Sequence, residues 1–235
     1  MTDQFRLAPP DALDEFIYVL THDIRASLRA LTEVPLWIEE DLEEAGIALD
    51  KDMRRNLQFL KSHSARMDQM LVDLLAYSRV GRLEGARRLA LYEAFQTHLK
   101  QCGLPKGLAL SDAGKEVHSK ISERDLALLF DALISNAAAH NPAEDKHLHV
   151  AITQEREHAK LSFVDNGPGV PTAHHEKIFD LMFTSKRRDE AAGSGMGLAQ
   201  VRRIATHYGG TARARHAETG GLQIDVLLPR ADPAV

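Results

Sequence analysis

Apolar residues recur every three or four positions through the first 45 residues, a spacing that predicts one long amphipathic helix with a single buried stripe. Pro9 and Pro10 favour a helix start near Asp11, and Gly46 favours a stop. Because an interior proline removes a backbone donor and crowds the preceding turn, we expect a kink just before Pro35. The predicted stripe consists of Leu13, Ile17, Leu20, Ile24, Leu28, Leu31, Ile38 and Leu42.

A second helix is predicted from about Asp50 to Arg79, where apolar or small residues alternate in steps of four and three, as in a coiled-coil seam. Two such helices joined by a short turn form a hairpin. One hairpin cannot enclose this much apolar surface, so we predict that two pair into a dimeric four-helix bundle. The alternative is a single hairpin packed on the rest of the chain. The seam residues are Met53, Leu57, Leu60, Ser64, Met67, Leu71, Leu74 and Ser78.

Shorter elements follow a polar, glycine-containing stretch at 81–86, which we interpret as a linker between a helical domain at 1–80 and a second domain at 87–235. In the second domain, Ser122 and Asp125 form a cap that predicts a helix start. Mixed strands and helices with hairpin connections predict an α+β sandwich. Its predicted elements are helices at 92–101, 122–137 and 197–207, strands at 109–110, 117–121, 147–153 and 159–165, and a closing hairpin at 210–229.

Composition then narrows the classes of function. A net charge of −5 gives no support for nucleic-acid binding as the main role, and the single cysteine, Cys102, suits a reducing compartment. No apolar run approaches the ~18 residues of a membrane span, and the start carries no signal-peptide pattern. We therefore expect a cytoplasmic protein. The 12 histidines are scattered along the chain, and we expect no metal site built from them.

His22 falls on the polar face of the first predicted helix. At ~100° per residue, the apolar stripe clusters about half a turn away from it. A lone surface histidine is usually only a solvated side chain, so this position gains significance only from the segments downstream. As a nucleophile, His22 would need one ring nitrogen unprotonated, and Asp23 beside it is suited to orient the ring or accept its proton. The alternative for Asp23 is a plain surface charge.

Two glycine-bearing segments of the second domain are suited to a phosphate-bearing ligand. The stretch from Asp165 to Gly169 follows an apolar strand, and Gly167 and Gly169 permit turns and the close approach of a ligand. Asp165 is able to accept hydrogen bonds from an exocyclic amine. The stretch from Gly193 to Gly197 opens a helix, where backbone amides and the helix dipole face an anion. Each segment alone is weak evidence.

Asn136 supplies a third signal, because it is polar on a helix that is otherwise largely apolar. A buried asparagine needs partners, and its amide oxygen is a suitable ligand for magnesium. Together with the two glycine-bearing segments, this residue indicates a nucleotide site.

The three segments and the His22 helix together resemble the histidine kinases of two-component signalling over nearly the whole chain. The residues around His22 resemble the family's phosphoacceptor box, His-Glu-Leu-Arg-Thr-Pro-Leu, and the helix around Asn136 resembles its N box. Asp165–Gly169 and Gly193–Gly197 resemble the two glycine boxes, and Ile178–Phe183 resembles the F box. Each box is short, but their joint order and spacing are specific.

The resemblance implies an ATP-binding domain of the gyrase, chaperone and histidine kinase type. It implies that this domain phosphorylates His22, which passes the group to an aspartate of a separate response-regulator receiver domain. It also implies that Asp165 accepts a hydrogen bond from the adenine amine and that Asn136 binds the Mg²⁺ that bridges the phosphates. Lys186 lies in the lid that the resemblance implies, where it would neutralise phosphate charge. The alternative is that it belongs to a basic run that is only solvated. The residues implied at the phosphates are Lys186, Gly193, Gly195 and Gly197.

Four positions depart from the family pattern. Ser27 replaces a proline, which reduces the expected helix bend. Ala26 stands where many relatives place a threonine or asparagine that positions water, so we expect weak phosphatase activity by that route. Ala132 stands where hydrolytic members of the superfamily carry a glutamate base, so we expect slow ATP hydrolysis. Ala139 stands where relatives often carry a lysine or arginine on the phosphates, which leaves the ATP affinity open.

Two other functions stay open at this level. One is a phosphotransfer protein with a weak or inactive nucleotide site, which Ala139 slightly favours. The other is an ATP-driven conformational machine with an incidental His22, which Ala132 disfavours. The expected partners are a second copy of the chain and a response regulator. The signal would come from a separate sensor protein, or the chain is the kinase core of something longer.

Overall fold

The computed structural model describes residues 10–184, 194–218 and 220–231, with the backbone alone described for residues 10–16, 18, 20 and 26. The chain divides into two compact units. The first unit contains two long helices and runs to Arg79, and the second begins at Val80 and contains the described strands. None of the helices within the described ranges is both long and apolar enough to cross a membrane.

The first unit is the predicted helical hairpin, with α1 at Pro10–Glu44 and α2 at Lys51–Ser78. Gly46 has a φ of +66°, a conformation that glycine adopts without strain, and α1 ends two residues before it. The side chain of Asp50 accepts a hydrogen bond from the first turn of α2, which caps that helix. Pro35 lies buried inside α1. The kink expected there stays a prediction.

The predicted apolar stripes are only partly covered within one hairpin. Leu28 on α1 is 3% exposed, but Leu31 is 49% exposed, and Met53 and Met67 on α2 are exposed as well. Ser64, in the α2 seam, is buried and donates a hydrogen bond to the carbonyl oxygen of Leu31 at 3.2 Å. Because apolar surface in water is unfavourable, this exposure favours a second hairpin over the seam. The dimeric bundle stays a prediction.

The second unit is built on a mixed five-stranded sheet in the order β2-β4-β5-β7-β6, beside a two-stranded β1-β3 ladder. Strands β2 and β4 pair in parallel, and the other neighbours pair antiparallel. The predicted sandwich of helices on a sheet is confirmed. Its elements are β1 Arg87–Ala90, α3 Leu91–Cys102, β2 Leu108–Gly114, β3 His118–Ile121, α4 Glu123–His140, β4 Lys146–Glu155, β5 His158–Asp165, two short 3₁₀ turns at Thr172–His174 and Lys177–Phe179, α5 Gly197–His207, β6 Thr211–His216 and β7 Leu222–Pro229.

The core of the second unit lies between its helices and the five-stranded sheet. Phe95 of α3 and Phe130 of α4 meet edge to face with ring centroids 5.2 Å apart, and Phe163 of β5 joins them. All three rings are almost fully buried, and edge-to-face aromatic packing adds to the apolar burial. Along β7 every second residue is buried, which places one face of the sheet against this core.

The sequence pattern did not predict strand β1, and it predicted a β2 that is shorter than the observed strand. Strand β1 carries exposed Arg87 and Arg88, so it lacks an apolar alternation, and its pairing with β3 is what defines it. Strand β2 continues to Gly114, where the sequence predicted only residues 109–110. It is an edge strand with the polar residues Ser111 and Asp112, and its length is set by parallel pairing with β4.

Asp125 ties the start of the second unit to α4. Its buried Oδ2 accepts hydrogen bonds from the backbone N–H of Gly81 and from the hydroxyl of Tyr208, both at 2.8 Å. Ser122 accepts from the Asp125 backbone N–H at 3.1 Å, so the predicted helix cap is confirmed. A Cβ at Gly81 would lie 1.9 Å from the His207 ring, so glycine is required for this approach.

Tyr208→Phe is expected to lower the free energy of unfolding at neutral pH and to weaken its alkaline decline. Burial raises the pKa of Tyr208 above its ordinary value of 10.0. The neutral phenol therefore contributes stability that is complete below pH ~10 and is lost as pH rises through the folded-state pKa. Without the hydroxyl, Asp125 loses one donor, at a cost of about 1–3 kcal/mol. Urea unfolding of both proteins at pH 7 and above pH 10 measures this, and parallel pH profiles would contradict it.

Candidate functional site

Asp165 ends β5 with one carboxylate oxygen occupied and the other available. Oδ1 accepts hydrogen bonds from the backbone N–H groups of Gly167 at 2.8 Å and Leu222 at 3.2 Å. Within the described ranges, no residue donates to Oδ2. The two backbone donors fix the orientation of the half-buried carboxylate, and Oδ2 is left as an acceptor for a ligand.

Glycines allow the backbone to pack around this carboxylate. Gly169 has a φ of +70° and Gly221, in the β6–β7 connection, has a φ of +88°. A Cβ at Gly221 would lie 1.9 Å from the backbone oxygen of Asp165, and a Cβ at Gly167 would lie 2.9 Å from its Oδ1. Gly221 was not among the predicted site residues. Its only signal was a pair of adjacent glycines in a predicted hairpin.

Asn166 holds the segment after Asp165 in place. Its Oδ1 accepts from the Asn141 side chain at 2.6 Å and from the His147 backbone at 2.8 Å. Its Nδ2 donates to the carbonyl oxygen of Asp145 at 2.9 Å. This amide therefore links the first glycine-bearing segment to the end of α4 and the start of β4. Neither asparagine was a predicted site residue, because their pairing is a contact between residues 25 positions apart.

Asn136 lies half-buried on α4, and no residue in the described part of the chain hydrogen-bonds to its side chain. One turn before it, Ala132 is buried, and a Cβ at Gly197 would lie 3.8 Å from the Ala132 Cβ. Because Gly197 and Ala132 are both small, the start of α5 packs closely against α4, one turn from Asn136. An amide oxygen with no partner among the described residues fits the preference of Mg²⁺ for oxygen ligands.

The start of α5 is suited to an anion. Gly195 has a φ of +73°, and a Cβ there would lie 2.9 Å from the carbonyl oxygen of Phe183. Gly197 is the first residue of α5, and Met196 before it makes no side-chain capping hydrogen bond, so the first backbone N–H groups of the helix are suited to phosphate. Lys186 and Gly193, which the sequence analysis assigned to the same site, lie outside the described residues.

His22 is exposed on α1, with 69% of its side chain accessible, whereas the adjacent Thr21 is fully buried. The His22 Nδ1 is 3.3 Å from the Asp23 Oδ1, within reach for the orienting role predicted for Asp23. One turn further on, the Arg25 Nε donates to the Asp68 Oδ1 at 2.8 Å. That hydrogen bond raises the pKa of Arg25 and fixes its guanidinium in the lining of a cleft that His22 also lines.

A cleft of about 740 Å³ lies beside His22 and is lined by both helices of the hairpin. Arg25, Arg29 and Arg79 contribute cationic groups to its lining, and Glu33 and Asp68 contribute carboxylates. Guanidinium groups match carboxylate and phosphate geometry. The cleft is therefore suited to a phosphorylated or carboxylate-bearing group that approaches the imidazole.

Residues 121–232 match a family model described as "Histidine kinase-, DNA gyrase B-, and HSP90-like ATPase". The matched range includes both glycine-bearing segments and the helix of Asn136.

Curated relatives extend the similarity over most of the chain. The signal transduction histidine-protein kinase AfsQ2 of Streptomyces coelicolor is 27% identical over 230 residues, and the sensor protein kinase PmrB of Pseudomonas aeruginosa is 28% identical over 225 residues. The alignments cover 93% and 90% of this chain but 42% and 44% of those proteins. The chain thus spans less than half the length of these relatives.

Solved structures share the fold. Full-length ShkA, determined in complex with AMPPNP, matches 94% of this chain and 47% of its own with a TM-score of 0.62 at 18% identity. The mycobacterial sensor histidine kinase MprB matches 63% of this chain and 99% of its own with a TM-score of 0.55 at 23% identity. At these identities the likeness establishes the fold alone.

Proposed function

We propose that this chain is the core of a two-component sensor histidine kinase and acts as an ATP-dependent autokinase. His22 takes the γ-phosphoryl group from ATP bound in the second unit and passes it to an aspartate of a separate response-regulator receiver domain. The observation that carries the proposal is the Asp165 carboxylate, with Oδ1 held by two backbone amides and Oδ2 left to accept from a base.

In this proposal the second unit recognises ATP at two ends. Asp165 accepts a hydrogen bond from the adenine amine, and the first turn of α5 with Gly195 receives the phosphates. Asn136 supplies an oxygen ligand for Mg²⁺, which neutralises phosphate charge when it is bound. Lys186 and Gly193 are proposed to belong to the same phosphate-binding segment.

His22 acts as the nucleophile. When Nδ1 carries the proton and faces Asp23, the lone pair lies on Nε2, which attacks the γ-phosphorus. The Nε2–P bond forms as the bond to the ADP oxygen breaks, and Asp23 stabilises or accepts the Nδ1 proton. Phosphoryl transfer depends mainly on positioning and charge neutralisation, to which Arg25 contributes one turn away.

The proposed partners follow from the two uncovered features of the hairpin. A second copy of the chain covers the exposed apolar seam and forms the four-helix bundle. The receiver domain docks at the cleft, where Arg25 and Arg29 attract its acidic phosphoacceptor site. The proposed division is 1–80 for dimerisation and phosphotransfer, 81–86 for the linker and 87–235 for catalysis, with the reaction in the cytoplasm.

Incubation with γ-labelled ATP and Mg²⁺ tests the proposal. Wild type is expected to acquire acid-labile, base-stable label, and His22→Ala is expected to acquire none. His63→Ala, a histidine substitution in the other helix of the hairpin, is the matched control and should be labelled like wild type. Label that persists in His22→Ala would contradict the assignment of the phosphoacceptor.

A second measurement separates the autokinase from the phosphotransfer alternative. If wild type acquires no label and does not bind ATP in calorimetry, the autokinase proposal fails. Label transferred to His22 from a phosphorylated receiver domain would then identify a phosphotransfer protein. ATP binding together with labelled wild type would exclude that alternative.

A further inference from the structure

A histidine, a cysteine and an aspartate cluster where α3 meets α4. His98 is 7% exposed, and its ring faces Asp131 on one side and Cys102 on the other. Nε2 is 2.9 Å from the Asp131 Oδ1, and Nδ1 is 3.9 Å from the Cys102 Sγ. Asp131 precedes Asn136 by five residues, so the two side chains are separated by roughly 140° around α4. The cluster is therefore separate from the nucleotide site.

We propose that Cys102 Sγ and His98 Nδ1 bind a divalent transition-metal cation of the Zn²⁺ class. Residues four apart lie on one face of a helix, and thiolate sulfur with imidazole nitrogen is a ligand set that Zn²⁺ prefers. Zn–S and Zn–N bonds of ~2.3 and ~2.05 Å at a tetrahedral angle separate the two ligand atoms by about 3.6 Å. The observed 3.9 Å is close to that separation.

Asp131 acts as a positioning residue through His98. By accepting from Nε2–H, it leaves the lone pair on Nδ1, the nitrogen that faces Cys102. A carboxylate behind a metal-binding histidine is the usual way in which the tautomer and ring orientation are fixed. The ligand atoms of all three residues lie within 4.8 Å of one another, so the arrangement is compact.

The electrostatics of the position favour a cation. Cys102 is the last residue of α3, and the C-terminal end of a helix carries the negative end of its dipole. The Asp131 carboxylate adds a formal negative charge. On binding, the thiol proton is released as the metal–sulfur bond forms.

Cys102 is exposed, so the remaining coordination positions are open to water. The proposal departs from the expectation that the scattered histidines form no metal site. Sequence spacing did not point to this cluster, because Asp131 reaches His98 only through the packing of α4 against α3.

Cobalt titration of the full chain tests the proposal independently of kinase activity. Because Cys102 is the only cysteine, thiolate-to-cobalt charge-transfer absorption reports this site alone. We expect one thiolate-bound Co²⁺ per chain, displaced by Zn²⁺, and loss of the absorption in Cys102→Ser. Absence of the absorption in wild type, an unchanged Zn²⁺ affinity in Cys102→Ser, or one ion shared by two chains would overturn the proposal.

Variants of Asp131 separate a positioning residue from a ligand. Asp131→Ala is expected to weaken Co²⁺ binding by about 10–100-fold while keeping the thiolate absorption at saturation. Asp131→Asn keeps an acceptor for Nε2–H and should recover most of the affinity. Both residues changed in these tests are exposed, and thermal unfolding with Glu157→Ala as control checks that the fold is retained. Wild-type affinity in Asp131→Ala would overturn the positioning role.

Discussion

Asp165→Asn is expected to lower the affinity for ATP by about 10–100-fold, as for the loss of one charge-assisted hydrogen bond of about 1.5–3 kcal/mol. Asparagine can keep the bonds from Gly167 and Leu222 through its single oxygen. Its amide nitrogen then replaces Oδ2 and presents an N–H donor to the adenine amine, which is also a donor. The variant therefore loses an attraction and gains a repulsion, while the backbone around residue 165 is preserved.

The same substitution is expected to remove the preference for ATP over GTP. A carboxylate acceptor matches the amine of adenine and repels the carbonyl oxygen of guanine, whereas an amide N–H donates a hydrogen bond to that oxygen. Titration calorimetry with both nucleotides measures the two affinities. Glu157→Gln is a matched control, because it neutralises an exposed carboxylate at the opposite end of β5. An Asp165→Asn protein with wild-type affinity and preference would exclude this residue from base recognition.

Gly221→Ala is expected to destabilise the second unit by about 3 kcal/mol and to weaken ATP binding, whereas Gly220→Ala should cost only ~1 kcal/mol. The two glycines, Gly221 and Gly220, have almost the same φ, +88° and +87°, in the region that side-chain-bearing residues rarely adopt. A Cβ at residue 220 meets no atom of the described residues within 4 Å, but at residue 221 it would lie 1.9 Å from the Asp165 backbone oxygen. The pair therefore separates backbone strain from steric contact.

Relief of that overlap must move either β5 or the β6–β7 connection. Because the Leu222 N–H directly after residue 221 holds the Asp165 Oδ1, such a shift also loosens the carboxylate. Urea unfolding gives the stability of each variant, and ATP titration below the unfolding transition gives the affinity. Equal stability losses in the two variants would show that strain alone matters at Gly221.

The local signals in the sequence predicted those parts of the structure that depend on a few neighbouring residues. Ser122 and Asp125 predicted a helix cap, Gly46 predicted the end of α1, and the helix that opens at Gly197 has the predicted bounds. Each of these depends on hydrogen bonds or backbone conformations within one turn. The glycine-bearing segments were recognisable for the same reason, because their chemistry is concentrated in five consecutive residues.

Features formed by distant residues could not be predicted in this way. Gly221 touches Asp165 only because β7 pairs beside β5, and the Asn141–Asn166 bond needs α4 and β5 to end close together. The contact of His98 with Asp131 depends on α3 packing on α4. Strand β1 likewise exists through its pairing with β3. In all these cases the sequence gives residue types without the distances that decide their roles.

The position of β7 in the sheet has a consequence for synthesis of the protein. This strand is the last along the described chain, yet it lies between β5 and β6. Until residue 229 has left the ribosome, β6 lacks its only strand partner in the described sheet, and β5 exposes an open edge. A nascent second unit would thus carry unpaired strand edges and an open apolar core until translation passes β7, which makes it a candidate for chaperone binding during that interval.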